Sequence, residues 1–375
     1  MKTARGLGFL LLGILTWLFC TGGYFSNLFA DDWRQAVKPW KWSFPGDHGA
    51  HPEFRTEWWY FTGNLVGETG NPMGYQLTFF RQGVRLQPRE PNNPWSIRDL
   101  YLAHFTLTDG ASRQFWYGDR ISRKGPGLAG AATDGMDVWL LNWSARMRGN
   151  RILLDARHQG MALSLELAAR KPLVFHGENG LSRKGTEEGQ ASHYFSCTEL
   201  ETGGFLKTPL LQAPARVQGT SWYDHEFGSN QLTPEQAGWD WFSLHLSDGH
   251  DLMIYFLRRK DGSVEPASSG TWVDPAGKGK KLALSEIRVQ VLNHWKSPKS
   301  GGRYPGRWKI SVPSVGMEVL FAPLVADQEL ATEGSTGVTY WEGAVEGKGR
   351  SGGKEVTCKG YVEMTGYAGP IGGLF

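Results

Sequence analysis

Residues 221–256 have the sequence SWYDHEFGSNQLTPEQAGWDWFSLHLSDGHDLMIYF, and this stretch decides the fold class. Three arms rich in aromatic and aliphatic residues are separated by polar, glycine-containing segments, a pattern typical of strands. The last two arms meet at residues 247–249, Ser-Asp-Gly, a short turn suited to an antiparallel hairpin. The stretch therefore predicts consecutive antiparallel strands.

The same pattern extends in both directions along the chain. Residues 56–65 (TEWWYFTGNL), 74–81 and 101–108 each predict a strand, and turn residues separate the strands at the intervals typical of barrels and sandwiches. The 50 glycines and 19 prolines are scattered as turn residues, so the predicted class is all-β. A proline-bounded crossing at residues 206–216 predicts a domain boundary there, giving domains 31–212 and 213–375.

The composition allows two interpretations of the interior. A chain of 375 residues is long enough for two domains, each with its own core. Its 17 tryptophans fit either a roomy, aromatic-lined cavity or ordinary core filling.

The first 30 residues differ from the rest of the chain. Lys2 and Arg5 precede a nearly all-apolar segment, residues 7–19, and no acidic residue occurs before Asp31. This pattern predicts a secretory signal peptide cleaved after Ala30, and hence a secreted or periplasmic protein, with retention as a membrane anchor as the alternative. Cleavage would lower the net charge from +3 to +1, which argues against a nucleic-acid partner.

The sequence predicts neither a metal nor a cofactor. The ten histidines are dispersed without an HExxH motif, and the glycine motifs at residues 125–130 and 347–352 do not open a helix. The G-x-S-x-G match at residues 349–353 lacks the strand-to-helix context of a nucleophile elbow. Cys197 and Cys358 fall in different predicted domains, so two buried free thiols are expected, with a disulfide in an oxidising compartment as the alternative.

Several blocks resemble the carotenoid 1,2-hydratase and kievitone hydratase-like family, which includes the secreted AttH-like proteins. The blocks that carry the resemblance are HPEFRTEWWYFTGNL (51–65), LYLAHFTLTD (100–109), SWYDHEFGS (221–229), GWDWFSLHLSDGHDLMIYFLR (238–258), SGTW (269–272), YPGRWKISVPSVGMEVLFAPL (304–324), YWEGAV (340–345) and GYVEMTGYAGPIGG (360–373). They span nearly the whole chain after residue 30. The resemblance implies two lipocalin-like antiparallel β-barrel domains packed together, with a pocket in or between them.

The resemblance also implies a chemistry. In hydratases of this family an aspartic acid protonates an alkene, water captures the cation, and aromatic rings stabilise it. The candidate catalytic residues are Asp224, His225, Asp240 and Tyr255. The candidate ligand-binding residues are Trp58, Trp59, Trp222, Tyr223, Trp239 and Trp241.

Strand alternation limits this set. Asp224 and His225 point to opposite faces of a regular strand, and Asp240 faces away from Trp239 and Trp241. A bulge or turn is needed to bring Asp224 and His225 into one pocket. The pair could equally be an ordinary turn or a hydrogen-bonded polar pair in the core.

Two further polar residues have a structural interpretation. His104, inside a predicted strand, is expected to be a hydrogen-bonded core histidine. Glu57 is expected to pair with Arg81 across the first hairpin, because a buried glutamate needs a partner.

Two functional classes remain open. The first is a secreted, cofactor-independent enzyme of hydratase, lyase or isomerase type that acts on an apolar unsaturated small molecule by carboxylate and histidine acid-base chemistry. The second is a non-catalytic protein of the cell envelope that binds a lipid or another hydrophobic ligand and associates with a membrane transporter complex. A carbohydrate-binding module fits less well, since exposed tryptophans would not need the carboxylate pair.

Overall fold

The computed structural model of the protein describes residues 33–88, 90, 92–93, 95–369 and 371. The predicted signal peptide, residues 1–30, lies outside the described residues. The strands all belong to one compact unit, Arg34–Phe375. Strands account for 59% of the structure and helices for 3%, which confirms the all-β class. Within the described ranges, no helix is long and apolar enough to cross a membrane.

The first sheet of the described chain contains 13 antiparallel strands. They are β1 (Thr56–Gly67), β2 (Pro72–Gly83), β3 (Asp99–Asp109), β4 (Gln114–Arg123), β5 (Ala129–Ala131), β6 (Asp137–Leu140), β7 (Trp143–Arg148), β8 (Arg151–His158), β9 (Met161–Ala169), β10 (Val174–Phe175), β11 (Leu181–Arg183), β12 (Ala191–Lys207) and β13 (Ala215–Gly228). Their order is β4-β3-β2-β1-β13-β12-β9-β8-β7-β6-β5, with β10 and β11 also paired to β12. This sheet forms a nearly closed barrel.

The second sheet contains ten described strands and forms a half-barrel. They are β14 (Gln236–Leu246), β15 (Asp251–Arg259), β16 (Ser269–Val273), β17 (Gly279–Ala283), β18 (Arg288–Lys296), β19 (Arg303–Val312), β20 (Met317–Pro323), β21 (Glu329–Ala331), β22 (Thr339–Ser351) and β23 (Lys354–Met364). Their order is β17-β16-β15-β14-β23-β22-β20-β19-β18, and β21 pairs with β22. Short 3₁₀ helices span Gly46–His48, Leu284–Glu286 and Pro313–Val315. The prediction of two lipocalin-like antiparallel β-barrels packed together is confirmed, with the second barrel only half formed.

The change of sheet does not coincide with the boundary predicted at residues 212 and 213. β13 was expected to begin the second domain, but it pairs with β1 and β12 in the middle of the first sheet. The proline-bounded crossing is the connection from β12 to β13, so it turns the chain back into the same sheet. The chain enters the second sheet only between β13 and β14.

The pairing of β1 with β13 sorts their side chains between two environments. The register is continuous from Thr56 opposite Gly228 to Gly67 opposite Val217. Trp59, Phe61 and Tyr223 therefore enter the barrel core. Tyr60 and Trp222 point the other way and join the hydrophobic cluster between the two sheets.

The hairpin predicted at residues 247–249 connects β14 and β15. The amide of Gly249 donates to the carbonyl of Leu246 over 3.0 Å, and Gly249 has a φ of 86°. Only glycine adopts this left-handed conformation without strain, so this residue closes the turn.

The two described cysteines are buried free thiols, as predicted. Cys197 belongs to the core of the first sheet and Cys358 to that of the second. Burial raises the pKa of each thiol to about 12, which makes both thiols unreactive.

A polar network centred on Glu57 lies inside the barrel. Its carboxylate accepts hydrogen bonds from Arg81 Nε at 2.9 Å, His51 Nδ1 at 2.8 Å and His225 Nε2 at 3.0 Å. Arg81 also pairs with Asp99 at 3.1 Å and donates to backbone carbonyls of the segment before β1. The predicted Glu57–Arg81 pair is confirmed, and it ties this segment to the barrel.

Replacing Glu57 with alanine should destabilise the protein strongly. Because Glu57 is fully buried, the Glu57→Ala substitution leaves the Arg81 charge without this partner, a change that typically costs about 3–5 kcal/mol. The matched control is Glu166→Ala, whose partner Arg151 is 50% exposed and whose loss should cost only about 0–1 kcal/mol. Urea unfolding followed by tryptophan fluorescence measures both, and equal losses would contradict a stabilising role for Glu57.

Candidate functional site

A pocket of about 190 Å³ lies between the two sheets. Strands β1, β2, β12 and β13 form one wall, and β14, β15, β22 and β23 form the other. Its apolar lining includes the rings of Trp58, Trp239 and Trp241, and the tyrosines Tyr60 and Tyr194 stand beside them. The pocket is therefore a shared product of both sheets.

Four carboxyl side chains line this pocket. Asp224 and Glu226 lie two residues apart on β13 and share one face, whereas Glu342 on β22 is the direct cross-strand partner of Glu363 on β23. Lys184 is a buried cation in the same lining. Acidic groups thus outnumber the buried cation, an arrangement that keeps protons on some of the carboxyls.

Asp224 is held by three hydrogen bonds at the base of the pocket. Trp222 Nε1 donates to Oδ1 over 2.6 Å, the Ser196 hydroxyl donates to the same oxygen, and the Tyr194 hydroxyl donates to Oδ2 over 2.9 Å. Burial raises the pKa of Asp224 to about 7. The three hydrogen bonds oppose this shift, and the charge of the nearby Glu226 adds to it. Asp224 can therefore gain or lose a proton near neutral pH.

Glu226 is paired with a cation, unlike Asp224. Lys184 Nζ lies 2.9 Å from its carboxylate, and the Ser192 hydroxyl donates to the same oxygen. The ammonium group also lies 4.1 Å from the centre of the Tyr255 ring and 5.2 Å from that of Tyr194. Lys184 and Glu226 thus form a neutralised pair at one end of the pocket.

Glu342 and Glu363 form the second acidic pair. Burial and the neighbouring Glu363 raise the pKa of Glu342 well above its usual value, and hydrogen bonds with the Tyr60 and Tyr340 hydroxyls oppose this shift. Burial raises the pKa of Glu363 to about 7. Oε1 of Glu342 and the Tyr60 hydroxyl are buried without a well-formed hydrogen bond to any described residue. Glu342 and the hydroxyls of Tyr60 and Tyr340 therefore form one loosely bonded polar group in the pocket.

The structure does not bring all the sequence-predicted catalytic residues together. Asp224 lines the pocket, but His225 points into the barrel and contacts Glu57, since β13 has no bulge there. Asp240 also lies outside the pocket lining, where it binds Arg258 at 3.1 Å and the Tyr367 hydroxyl at 3.0 Å. The alternation predicted from the sequence explains both placements.

Tyr255 lines the pocket with its ring, while its hydroxyl is used elsewhere. The hydroxyl donates to the carbonyl of Arg183 over 2.9 Å and contacts Ser182 and Ser269, each at 3.1 Å. Tyr255 therefore presents an aromatic face to Lys184 rather than an acidic proton to a ligand.

The predicted ligand-binding residues divide in the same way. Trp58, Trp239 and Trp241 line the pocket, and Trp222 stands behind it as a hydrogen-bond donor to Asp224. Trp59 and Tyr223 belong to the barrel core.

Sequence reasoning missed Glu342, Glu363, Lys184 and Tyr194. Glu342 and Glu363 lie in the blocks 340–345 and 360–373, which carry the family resemblance, yet neither acid is singled out there. Alternation within YWEGAV puts Tyr340 and Glu342 on one face, which was the available signal. Their approach to Asp224 depends on the packing of the two sheets.

His51, Glu57 and His225 offer three metal-ligand atoms within 4.8 Å of one another. Each imidazole contacts the Glu57 carboxylate, and the Arg81 guanidinium holds its other oxygen. These contacts satisfy the carboxylate within the protein and place a fixed positive charge beside any cation. The group is a hydrogen-bonded network of the barrel interior.

The fold and pocket define a class of protein with a nearly closed barrel, a half-barrel and an aromatic and acidic site between them. The model of the AttH-like family matches residues 35–367, and the chain belongs to this family. The resemblance stated from the sequence is confirmed. Comparison with curated proteins finds no match.

Solved structures support this assignment. An AttH protein of Nitrosomonas europaea is 34% identical with a TM-score of 0.77, and the match covers 88% of this chain and 99% of that chain. Kievitone hydratase of Nectria haematococca is 16% identical with a TM-score of 0.66, covering 89% and 97%. CghA is 13% identical with a TM-score of 0.52, covering 90% and 97%. The last two likenesses show the fold alone.

The pKa of Asp224 should rise further when Ser196 is replaced by alanine. The Ser196 hydroxyl stabilises the ionised carboxylate, so the Ser196→Ala substitution favours the protonated form and moves the pKa above about 7. Titration of ¹³C-labelled aspartate carboxyls by NMR measures the shift. The carboxyl of Asp240 serves as internal control, and an unchanged Asp224 pKa would contradict the assigned contact.

Proposed function

We propose that the protein is a cofactor-independent enzyme of hydratase or lyase type that acts on an apolar unsaturated small molecule in this pocket. The observation that carries the proposal is the Glu342–Glu363 pair, two carboxyls on adjacent strands in a pocket that three tryptophan rings also line. The shared fold of kievitone hydratase adds support by analogy.

Glu342 is the proposed general acid. Burial and the neighbouring Glu363 both disfavour a second negative charge and raise the pKa of Glu342 well above its usual range, which favours the protonated carboxyl. It transfers this proton to one carbon of a C=C bond, whose π electrons form the new C–H bond. The neighbouring carbon becomes a cation beside Trp58, Trp239 and Trp241, whose faces attract positive charge.

Glu363 and Asp224 are the proposed bases. A water molecule forms a C–O bond with the cation, and its surplus proton passes to one of these carboxylates. The overall step adds water across the double bond, and the reverse step removes it. His225, Asp240 and the Tyr255 hydroxyl have no part in this proposal, because they do not face the reacting position.

The proposed compartment is secreted or periplasmic, with residues 1–30 removed as a signal peptide. The support is the sequence of this segment alone. N-terminal sequencing of protein recovered from its natural host tests the proposal, and an intact Met1 would contradict it.

Glu342→Gln should lower turnover sharply while leaving the ligand bound. Compounds extracted from the purified protein are identified by mass spectrometry and offered back as substrates. Loss of the acid should lower turnover by about 10²–10⁴-fold, since the amide keeps the shape of the carboxyl and cannot transfer the proton. Asp240→Asn is the matched control outside the pocket and should remain close to wild type.

Two outcomes would contradict this proposal. If the wild-type protein transforms none of the extracted compounds but retains them, the alternative of a non-catalytic hydrophobe-binding protein is favoured. If Glu342→Gln is as active as the wild type, Glu342 is not the acid.

Turnover should depend on pH through the bases. Asp224 and Glu363 have pKa values raised to about 7, so the ionised base becomes available as the pH increases through this value. Because the pKa of Glu342 is also raised, turnover should fall again at the pH at which this carboxyl loses its proton. A rate profile that is flat across neutral pH would contradict these assignments.

A further inference from the structure

His104 lies directly behind the proposed acid and has no role in the chemistry described above. It is fully buried on β3, and its two ring nitrogens each contact a hydroxyl group. Nδ1 lies 2.7 Å from the Tyr340 hydroxyl, and Nε2 lies 3.1 Å from the Ser335 hydroxyl. Both nitrogens are thus joined to groups that can donate or accept a proton.

Tyr340, His104 and Ser335 form a hydrogen-bonded chain, and its Tyr340 end lies in the pocket. Tyr340 and Glu342 are two residues apart on β22, so they share a face, and both line the pocket. The Tyr340 hydroxyl is close enough to the Glu342 carboxyl to act on its pKa. A hydroxyl therefore stands between the imidazole and the acid.

The Ser335 side ends near solvent. Ser335 lies in the turn that connects β21 to β22 and is partly exposed. The carboxylate of Asp119, the cross-strand neighbour of His104, faces the same turn beside Gly334. Ser335 thus lies at the solvent-facing end of the hydrogen-bonded chain and outside the pocket lining.

We infer that His104 is a proton-relay residue that connects Glu342 in the pocket, through Tyr340, to solvent at Ser335. The inference rests on the proposed role of Glu342 as the acid. In that role each hydration leaves Glu342 ionised, because its proton has become part of the new C–H bond, while the surplus proton of the attacking water lies on another carboxyl. The relay returns a proton from solvent to Glu342. A substrate that fills the pocket would separate Glu342 from bulk water.

The relay step conserves protons. When Glu342 is ionised, Tyr340 donates to it, His104 Nδ1–H donates to Tyr340, and Ser335 donates to Nε2. In one shift Tyr340 gives its proton to Glu342 and receives that of Nδ1, while Nε2 receives the Ser335 proton and solvent replaces it. One proton enters from water and one reaches Glu342, and His104 changes tautomer without becoming charged.

The surroundings of His104 suit this neutral relay. Burial lowers the pKa of His104 to about 3, so the imidazole stays uncharged. The Phe80 ring lies 5.2 Å from it and Thr78 is opposite on β2. The charged groups facing the chain are Asp119 at the solvent end and the two glutamates, Glu342 and Glu363, at the pocket end.

His176 provides a contrast within the same protein. It contacts the Ser196 hydroxyl at 2.6 Å and Thr271 at 2.8 Å, and through Ser196 it reaches Asp224. Ser196 and Thr271 are both buried, so this chain ends inside the protein. His176 can orient the hydroxyl that holds Asp224, whereas only the His104 chain reaches a partly exposed residue.

The test is the rate at which the Glu342 carboxyl proton exchanges with D₂O. Infrared spectroscopy follows the C=O stretch of the protonated carboxyl, and Glu342→Gln identifies the band. The measurement is made at a pH above about 7 at which the Glu342→Gln substitution still removes a protonated-carboxyl band, so that Glu342 carries its proton while Asp224 and Glu363 are ionised. Toluene, a small apolar probe, displaces water from the pocket, and tryptophan fluorescence reports its occupancy.

The relay predicts that exchange stays fast in the toluene-loaded wild type. Ser335→Val, which changes only the partly exposed end of the chain, should slow it about tenfold or more, because exchange must then wait for local opening. His104→Phe should have the same effect, and His176→Gln is the matched control that should exchange like the wild type.

Equal exchange rates in wild type, Ser335→Val and His104→Phe would overturn the relay. This result is distinct from failure of the proposed function, which is measured by turnover of extracted compounds. A protein without turnover could still show relay-dependent exchange, and an active enzyme could show none.

Discussion

The continuous antiparallel pairing of β1 with β13 is the constraint on which the rest of the structure depends. Side chains alternate along a strand with a period of two, so this register sends Glu57 and His225 into the barrel and Asp224 and Glu226 into the pocket. A slip of one residue would exchange the two sets and bury the wrong acids in each place. The structural network and the candidate active site are thus two faces of the same pair of strands.

Buried acids have different partners and pKa values on these two faces. In the barrel, Glu57 is matched by the Arg81 guanidinium and by two imidazoles, and its pKa is held well below the usual range. In the pocket, Lys184 neutralises Glu226, while Asp224 and Glu363 keep pKa values near 7. A paired buried acid stabilises a fold, whereas an acid that retains its proton in an apolar site can transfer it.

Both sheets are needed to create an apolar site in which an acid retains its proton. Glu342 and Glu363 face each other across β22 and β23, and the cluster between the sheets closes over them. Desolvation and mutual repulsion then keep a proton on Glu342. The hydroxyl of Tyr340 gives this proton a route to His104, which sits on the other sheet. The acid and its route to solvent therefore come from different parts of the chain.

Much of this organisation was predictable from the sequence. Periodicity and turn residues predicted the strands, and alternation predicted that Asp224 and His225 would separate and that Asp240 would face away from its neighbouring tryptophans. The Glu57–Arg81 pair followed from the need of a buried charge for a partner. The placement of β13 did not follow, because a proline-bounded connection can join strands of one sheet as well as two domains.

The sequence by itself determined the all-β class, the family and the face on which each strand presents its side chains, because these depend on local periodicity and on motifs within single segments. Only the tertiary structure decided which faces meet. The approach of Glu342 and Glu363 to Asp224, and of His104 to Tyr340, joins strands far apart in the chain. Such contacts depend on sheet order and on the packing of one sheet against the other, and these are set by the whole fold.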